Sequence, residues 1–348
     1  MKNLKKITLC GYYGRGNLGD EAILQAILRQ IKKSTPRANI QIINTKNPLT
    51  AAKKMSKSDL FIFGGGSILQ NSTSNASFFY YLALIRLASL LCKRKIMLAN
   101  GIGPIIPHKI PQKILIRALA STINRFDFIS IRDTNSQKFL QKLLPHRKIH
   151  LLPDPALLEF QKLNQQLISH HSPCPKNAFF VFCPHANSLK KAKITPKILA
   201  NSLSTIEKFH HTSLKIVIFN KKEDLALAKS LKKHLKNAKI YTPRTPDEAA
   251  RALFSAKFVI SSRYHASLLA ISQGLPTLSI STDPKITALS TDFHTFPAFP
   301  PKIFSDANHL NSQILKMMHH HNSNKEIIAQ KINLFTAKST NTFRKMLG

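Results

Sequence analysis

The chain has 348 residues, enough for two domains of ordinary size, and 43% are hydrophobic, enough for a packed core in each. Lys and Arg number 52 against 16 Asp and Glu, a formal net charge of +36. Residues 1–150 alone carry 25 basic and 5 acidic side chains, which excludes a basic tail appended to a neutral body. Such a field favours anionic partners: phosphorylated metabolites, nucleic acid or an anionic membrane face. A proteome-wide bias toward Lys and Asn would give the same charge, so charge alone names no partner. The four cysteines, Cys10, Cys92, Cys174 and Cys183, show no C-x-x-C spacing and sit mostly in apolar runs. They read as reduced, buried thiols. The basic start and the apolar run ending at Gly11 are too short for a signal segment. The apolar stretch Phe78–Cys92 contains Arg86 and falls short of a membrane span. A cytoplasmic protein is expected, with peripheral contact at the inner face of the cytoplasmic membrane as an extension of the charge argument.

In chain order, short apolar runs alternate with helical patterns. Strands are expected at 6–11, 39–44, 59–63, 96–100, 128–132 and 149–152. Helices are expected at 20–33, 48–56, 77–92, 111–124 and 134–144. A polar stretch, 160–177, reads as a linker. The alternation then restarts, with strands at 178–183, 214–219, 238–241, 257–260 and 277–280 and helices at 195–209, 222–235, 246–255 and 263–273. This is the α/β pattern of a parallel sheet covered by helices, twice over. The expected domains are 1–159 and 178–305, both Rossmann-like, followed by a helical tail, 306–348. The tail's His319–His321 run reads as a solvated helix end rather than a metal site.

Paired α/β domains place ligands at the carboxyl ends of their strands, and the informative residues cluster there. The first strand ends in Gly11-Tyr-Tyr-Gly-Arg-Gly-Asn-Leu-Gly-Asp-Glu21. Gly14, Gly16 and Gly19 fit the G-x-G-x-x-G spacing of a dinucleotide turn. That reading needs an acid after the second strand to hold the ribose hydroxyls, yet no Asp or Glu occurs between Glu21 and Asp59. Asp20 and Glu21 would also repel a pyrophosphate. The turn reads instead as a backbone and Asn17 facing a small ligand, or as a tight turn with Asp20 capping a helix.

A second turn, Gly64-Gly-Gly-Ser-Ile-Leu-Gln70, lets the backbone approach a ligand without Cβ atoms in the way and is not a Walker A loop. Asn100-Gly-Ile-Gly-Pro104, Arg132-Asp133 and Pro153-Asp-Pro155 follow at further strand ends. Asp133 doubles as a possible helix cap. In the second half, Ser262-Arg-Tyr-His265 puts an arginine fork and an imidazole at the start of a helix. Arg263 suits a phosphate or carboxylate, and His265 suits general acid or base work near neutral pH. Asp283-Pro-Lys285 adds a further cation. No serine-hydrolase elbow, zinc spacing, carboxylate pair of a glycosidase or RNA-binding box is present, and Trp is absent.

Taken in order, these motifs resemble those of the polysaccharide pyruvyltransferase family, most closely the branch that pyruvylates secondary cell-wall polymers for S-layer attachment. The matching residues are 11–21, Gly64–Gln70, Tyr80-Tyr81, Gly101–Pro104, Ile131–Asp133, Asp154-Pro155, Arg263–Ala266 and Asp283–Lys285. The resemblance implies two Rossmann-like domains in a GT-B-like arrangement with an inter-domain cleft. It implies transfer of pyruvate from phosphoenolpyruvate onto two hydroxyls of a cell-envelope saccharide as a ketal, with release of phosphate. The family's catalytic histidine falls on His265 and its donor-binding arginine on Arg263. Arg132 is similar to a second donor-binding arginine, and Lys285 is expected to assist. Asn17, Asp20, Gly65, Gly66, Ser67 and Gln70 are expected on the acceptor side. Phosphoenolpyruvate is a co-substrate, with no organic cofactor and no metal. The other partner is a lipid-linked or polymeric saccharide, and no nucleic acid is expected. The chain departs from the family at Asn71 and Asn100, where Asp and Gln are usual. It departs again at Phe182–Asn187, where His185 or Lys190 stands in for a usual basic residue. Two rival readings are a GT-B glycosyltransferase using a nucleotide sugar and a non-catalytic polyanion or membrane binder.

Overall fold

The computed structural model describes residues 4–44, 47–72, 74–107, 109–170 and 179–347. The chain divides into two compact units. The first comprises Met1–Arg15, Ile23–Ala156 and Phe335–Gly348; the second comprises Gly16–Ala22 and Leu157–Leu334.

In the first unit the strands are β1 (Lys6–Cys10), β2 (Asn39–Ile43), β3 (Ser58–Gly64), β4 (Cys92–Asn100), β5 (Phe128–Ile131) and β6 (Ile149–Leu151). They pair in parallel in the order β2-β1-β3-β4-β5-β6. The helices α1 (Leu18–Ser34), α2 (Pro48–Met55), α3 (Asn75–Leu91), α4 (Gln112–Ile123) and α5 (Thr134–Leu143) make the crossovers. Central strands such as Leu60–Phe63 are apolar at every position and fully buried, as strands covered on both faces must be. Strand order reverses between β1 and β3, the switch point at which an open α/β sheet leaves a crevice.

The second unit runs α6 (Ala156–His170), β7 (Phe179–Cys183), α7 (Ala186–Lys191), α8 (Pro196–Phe209), β8 (Ser213–Val217), α9 (Lys221–His234), β9 (Lys239–Tyr241), α10 (Pro246–Leu253), β10 (Val259–Ser261), α11 (Tyr264–Ser272), β11 (Thr277–Ser279), α12 (Pro284–Phe293), a 3-10 turn at Pro301–Ser305 and α13 (Ala307–Leu347). Its sheet is parallel in the order β11-β10-β7-β8-β9, and its switch point lies between β7 and β10. Helix starts carry their own signals. Thr195 and Thr245 cap α8 and α10 with a Pro in the next position, where a missing N–H costs nothing.

All eleven expected strands overlap observed ones, with ends shifted by a few residues. The stretch 160–177 is corrected: residues 160–170 are helical, and 171–177, with Cys174, lie outside the described residues. Leu157, Leu158, Phe160, Leu163 and Leu167 form a buried stripe at helical spacing on α6, which the intervening Gln and Asn residues obscure. The His319–His321 run is also corrected. It lies inside the 41-residue α13, and His321 is buried. Burial pushes the His321 imidazole below its usual range, partly offset by a hydrogen bond to the Gly274 backbone. No helix among the described residues is long and apolar enough to cross a membrane.

Candidate functional site

Two clusters of strand-end residues sit at the two switch points, one in each unit. In the first unit, the loop after β3 is pinned by backbone. Gly65 N–H donates to Leu98 O, Gly101 N–H to Gly66 O and Asn100 Nδ2 to Gly65 O. Gly65 and Gly66 have φ of +66° and +74°, a region in which a Cβ is strained. Ser67 and Gln70 are half-buried, and Gln70 Oε1 accepts from Ser72. Asn71 is buried and ties Ile106 and Asn75 together, so its departure from the family pattern falls on a loop-holding residue.

Arg132, expected as a second donor-binding arginine, is held by a buried aspartate. Its Nη1 lies 2.8 Å from Asp154 Oδ2, with the two side chains only 2% and 1% exposed. Its Nη2 donates to Ser67 Oγ at 2.5 Å. Asp154 in turn accepts from Ala156 N–H at the start of α6. The guanidinium is engaged by a buried ion pair and a loop contact. Handing it to a ligand would leave Asp154 an uncompensated buried charge. Next to it, Asp133 caps α5 through Ser136.

In the second unit, β7 and β10 lie side by side and deliver His185, Arg263 and His265 to one end of the sheet. Arg263 precedes α11, and His265 is in its first turn. Segment 16–22 belongs to this unit. Leu18 N–H donates to Phe219 O, and Asn17 bridges Asn220 at the end of β8. Asn17 Oδ1 accepts from Gly19 N–H, so Asn17 supplies the cap that was considered for Asp20. Asp20 is buried in the first turn of α1. A Cβ placed on Gly19 would overlap the His265 ring and come within 2.6 Å of His265 Cβ. The third glycine of the opening motif is therefore the surface on which the imidazole packs. Tyr264 meets the His265 ring in a T-shaped contact, with centroids 5.0 Å apart.

Arg263 is held by residues that its own motif does not reveal. Nε donates to Asp224 Oδ2 (3.0 Å) and Nη2 to Asp224 Oδ1 (2.7 Å), a two-pronged fork, while Nη2 also reaches Glu223 Oε2 at 2.5 Å. Both acids sit in the first turn of α9. The available signal was their adjacency after a strand in a chain so poor in acids. Burial pushes the Asp224 carboxyl above its usual range despite Arg263. His185 Nδ1 contacts Ser188 Oγ at 2.6 Å, and its Nε2 lies 3.6 Å from Glu223. Burial first, then Arg263 and Lys285, hold the His185 imidazole down to about 3. It is neutral, and its contact with Glu223 is polar rather than an ion pair. Lys190 lies exposed on α7. Lys285 pairs with Asp283, the cap of α12, at 3.3 Å, and both are partly exposed.

The second unit thus unites His265, Arg263, Asn17 and Gly19, with His185 and the two acids joined to Arg263; the first holds Gly65, Gly66, Ser67 and Gln70 with Arg132. Among the described residues, no group of three His, Cys, Asp or Glu side chains is placed to hold a metal ion.

A family model described as polysaccharide pyruvyl transferase matches residues 17–284, a span that starts at Asn17 and includes Arg263 and His265. No curated protein sequence matches the chain. Among solved structures, the UDP-GlcNAc 2-epimerase of Neisseria meningitidis superposes with a TM-score of 0.64 at 11% identity, over 99% of each chain. The UDP-N-acetylglucosamine 2-epimerase of Rickettsia bellii gives 0.57 at 12% identity over 98% of each chain. A glycosyltransferase from Rickettsia africae gives 0.56 at 12% identity over 99% of each. At these identities the likeness establishes the fold: two Rossmann-like domains of the GT-B-like class, as the sequence pattern implied.

Proposed function

Since the chain belongs to the polysaccharide pyruvyl transferase family, we propose that it transfers the pyruvyl group of phosphoenolpyruvate to a cell-envelope saccharide, forming a pyruvate ketal and releasing phosphate. The observation that carries this reading is the seating of His265 on Gly19 beside Arg263, which joins the two ends of the family match in one cluster.

The chemistry follows from the side chains. His265, as an imidazolium, donates a proton to the methylene carbon of the enol, which becomes a methyl group and leaves the adjacent carbon electrophilic. A sugar hydroxyl adds there and gives up its proton, which returns the imidazole to its charged form. The carbon–oxygen bond to phosphate then breaks, phosphate departs with the bonding pair, and the neighbouring hydroxyl closes the ketal, its proton passing to the departing phosphate. Arg263 and Lys285 supply positive charge for the donor's phosphate and carboxylate, which orients it before reaction. Arg132 is left out of this scheme because its side chain is only 2% exposed, against 13% for Arg263. Asn17 and Asp20 in the second unit, and Gly65, Gly66, Ser67 and Gln70 in the first, are assigned to the acceptor. The polymer of an S-layer anchor or its lipid-linked precursor is the acceptor class we favour, and the +36 charge suits an anionic membrane surface.

The test is phosphate release from phosphoenolpyruvate in the presence of candidate cell-wall saccharides, with the ketal identified by mass. His265→Ala is expected to lower turnover by about 10²- to 10⁴-fold. Undiminished turnover in that variant would overturn the mechanism.

A further inference from the structure

Arg263 has more negative partners than it needs. One carboxylate, Asp224, already occupies the Nε–Nη2 edge in a fork, is fully buried and is anchored by Ala186 N–H. The second, Glu223, touches only Nη2, and its side chain is 35% exposed. Nη1 makes no hydrogen bond among the described residues. With both acids in place, the three groups carry a net negative charge. An anion arriving at Arg263 would be repelled, unless one acid left. Asp224 has no route to water. Glu223 does, and it exchanges a guanidinium contact for hydration at small cost.

We propose that the two acids act oppositely on Arg263: Asp224 is the positioning residue that fixes the guanidinium, and Glu223 is an internal anion that occupies the arginine until an incoming oxyanion displaces it. His185 completes the device. It is neutral, its Nδ1 shares a hydrogen bond with the Ser188 hydroxyl, and in the tautomer protonated at Nε2 its N–H faces Glu223 at 3.6 Å. It therefore steadies the displaced carboxylate without adding a charge that would compete with Arg263. The inference rests on the reading of Arg263 as a donor-binding group and deepens it. It explains how a buried acid pair and an anion site share one arginine.

The displacing oxyanion is the donor's phosphate or its carboxylate, which inorganic phosphate and pyruvate separate as probes. Their affinities for the full chain are measured by calorimetry in the unmodified protein and in Glu223→Gln, Glu223→Asp and Asp224→Asn. Glu223→Gln keeps the shape, removes the charge and is expected to bind the displacing probe about fivefold tighter, the upper range for a half-exposed pair. Glu223→Asp is expected to return affinity toward that of the unmodified protein. Asp224→Asn is expected to weaken binding about tenfold through loss of a charge-assisted fork. The same ranking is expected in KM for phosphoenolpyruvate, with kcat changing less. Where Asp224→Asn does not fold, Glu223→Gln decides. Unchanged or weaker binding of both probes in Glu223→Gln overturns the displacement. The ranking with phosphate or pyruvate, in a protein that releases no phosphate from phosphoenolpyruvate, would remove the pyruvyl-transfer reading and leave the displacement standing.

Discussion

Arg132 and Arg263 occupy comparable places: each follows a parallel strand and each is held by an aspartate. Their surroundings differ. Arg132 and Asp154 form an ion pair with both side chains almost fully enclosed, and the guanidinium also reaches Ser67. Arg263 carries two acids, has an Nη1 with no hydrogen bond among the described residues and is 13% exposed. A sealed, balanced pair locks a loop to a helix start. An over-supplied, partly open pair is poised to exchange a partner. The same residue type at the same kind of turn is thus sealed in one unit and partly open in the other, where we propose it as a binding group.

The sharpest way to break this comparison is Arg132→Ala, which leaves Asp154 buried without its cation. A loss of about 3–5 kcal/mol in stability is expected by urea unfolding; a variant as stable as the unmodified protein would remove the fastener role. Arg263→Lys keeps the charge and loses the fork. Its kcat/KM for phosphoenolpyruvate is expected to fall about 100-fold, the range for one lost oxyanion contact, while the unfolding midpoint stays close to that of the unmodified protein. Gly19→Ala tests whether the opening turn serves the second cluster. The added methyl meets the His265 ring, so a kcat loss approaching 100-fold, the cost of a displaced catalytic group, is expected with little change in phosphate affinity.

Acid titration sharpens the contrast further. His185 is held down to about 3, and His210 and His321 of the same unit are lowered too, chiefly by burial. The folded state disfavours these protons, so the unfolded chain binds more of them and stability rises with pH. Their contribution is complete above the ordinary histidine value of about 6.5 and is lost as pH falls from there toward each folded value, for His185 about 3. Substituting Gln for His185 is expected to flatten that slope between those limits, measured as unfolding midpoint against pH. The smallest effect is expected at Lys285, whose partly exposed pairing with Asp283 is easily replaced by water. Lys285→Ala should raise KM for phosphoenolpyruvate by no more than about fivefold.

Much of this was readable along the chain. Continuous apolar runs such as Phe179–Cys183 mark buried parallel strands, and Thr-Pro and Asp-Pro pairs mark helix starts. Arg263 and His265 stood out because an arginine fork and an imidazole meet where a strand becomes a helix. Two readings failed for a common reason. Polar residues dominate 160–170 and the His319–His321 run, and composition hid the periodic face that α6 and α13 bury. Glu223 and Asp224 went unread because nothing local distinguishes acids that favour a helix N-terminus from acids that hold a distant arginine.

The sequence by itself determined the strands, most of the helices and the family, because hydrophobic periodicity and motif chemistry are local properties. Partnership was decided by the tertiary structure. Parallel pairing brings β7 next to β10, whose residues lie 78 positions apart in register, and so sets His185 near Arg263. It hands Asp154 to Arg132 across 22 positions and Asp224 to Arg263 across 39. Which arginine is sealed and which stays partly open depends on the packing and the charges around it. Those exist only once the sheets have formed.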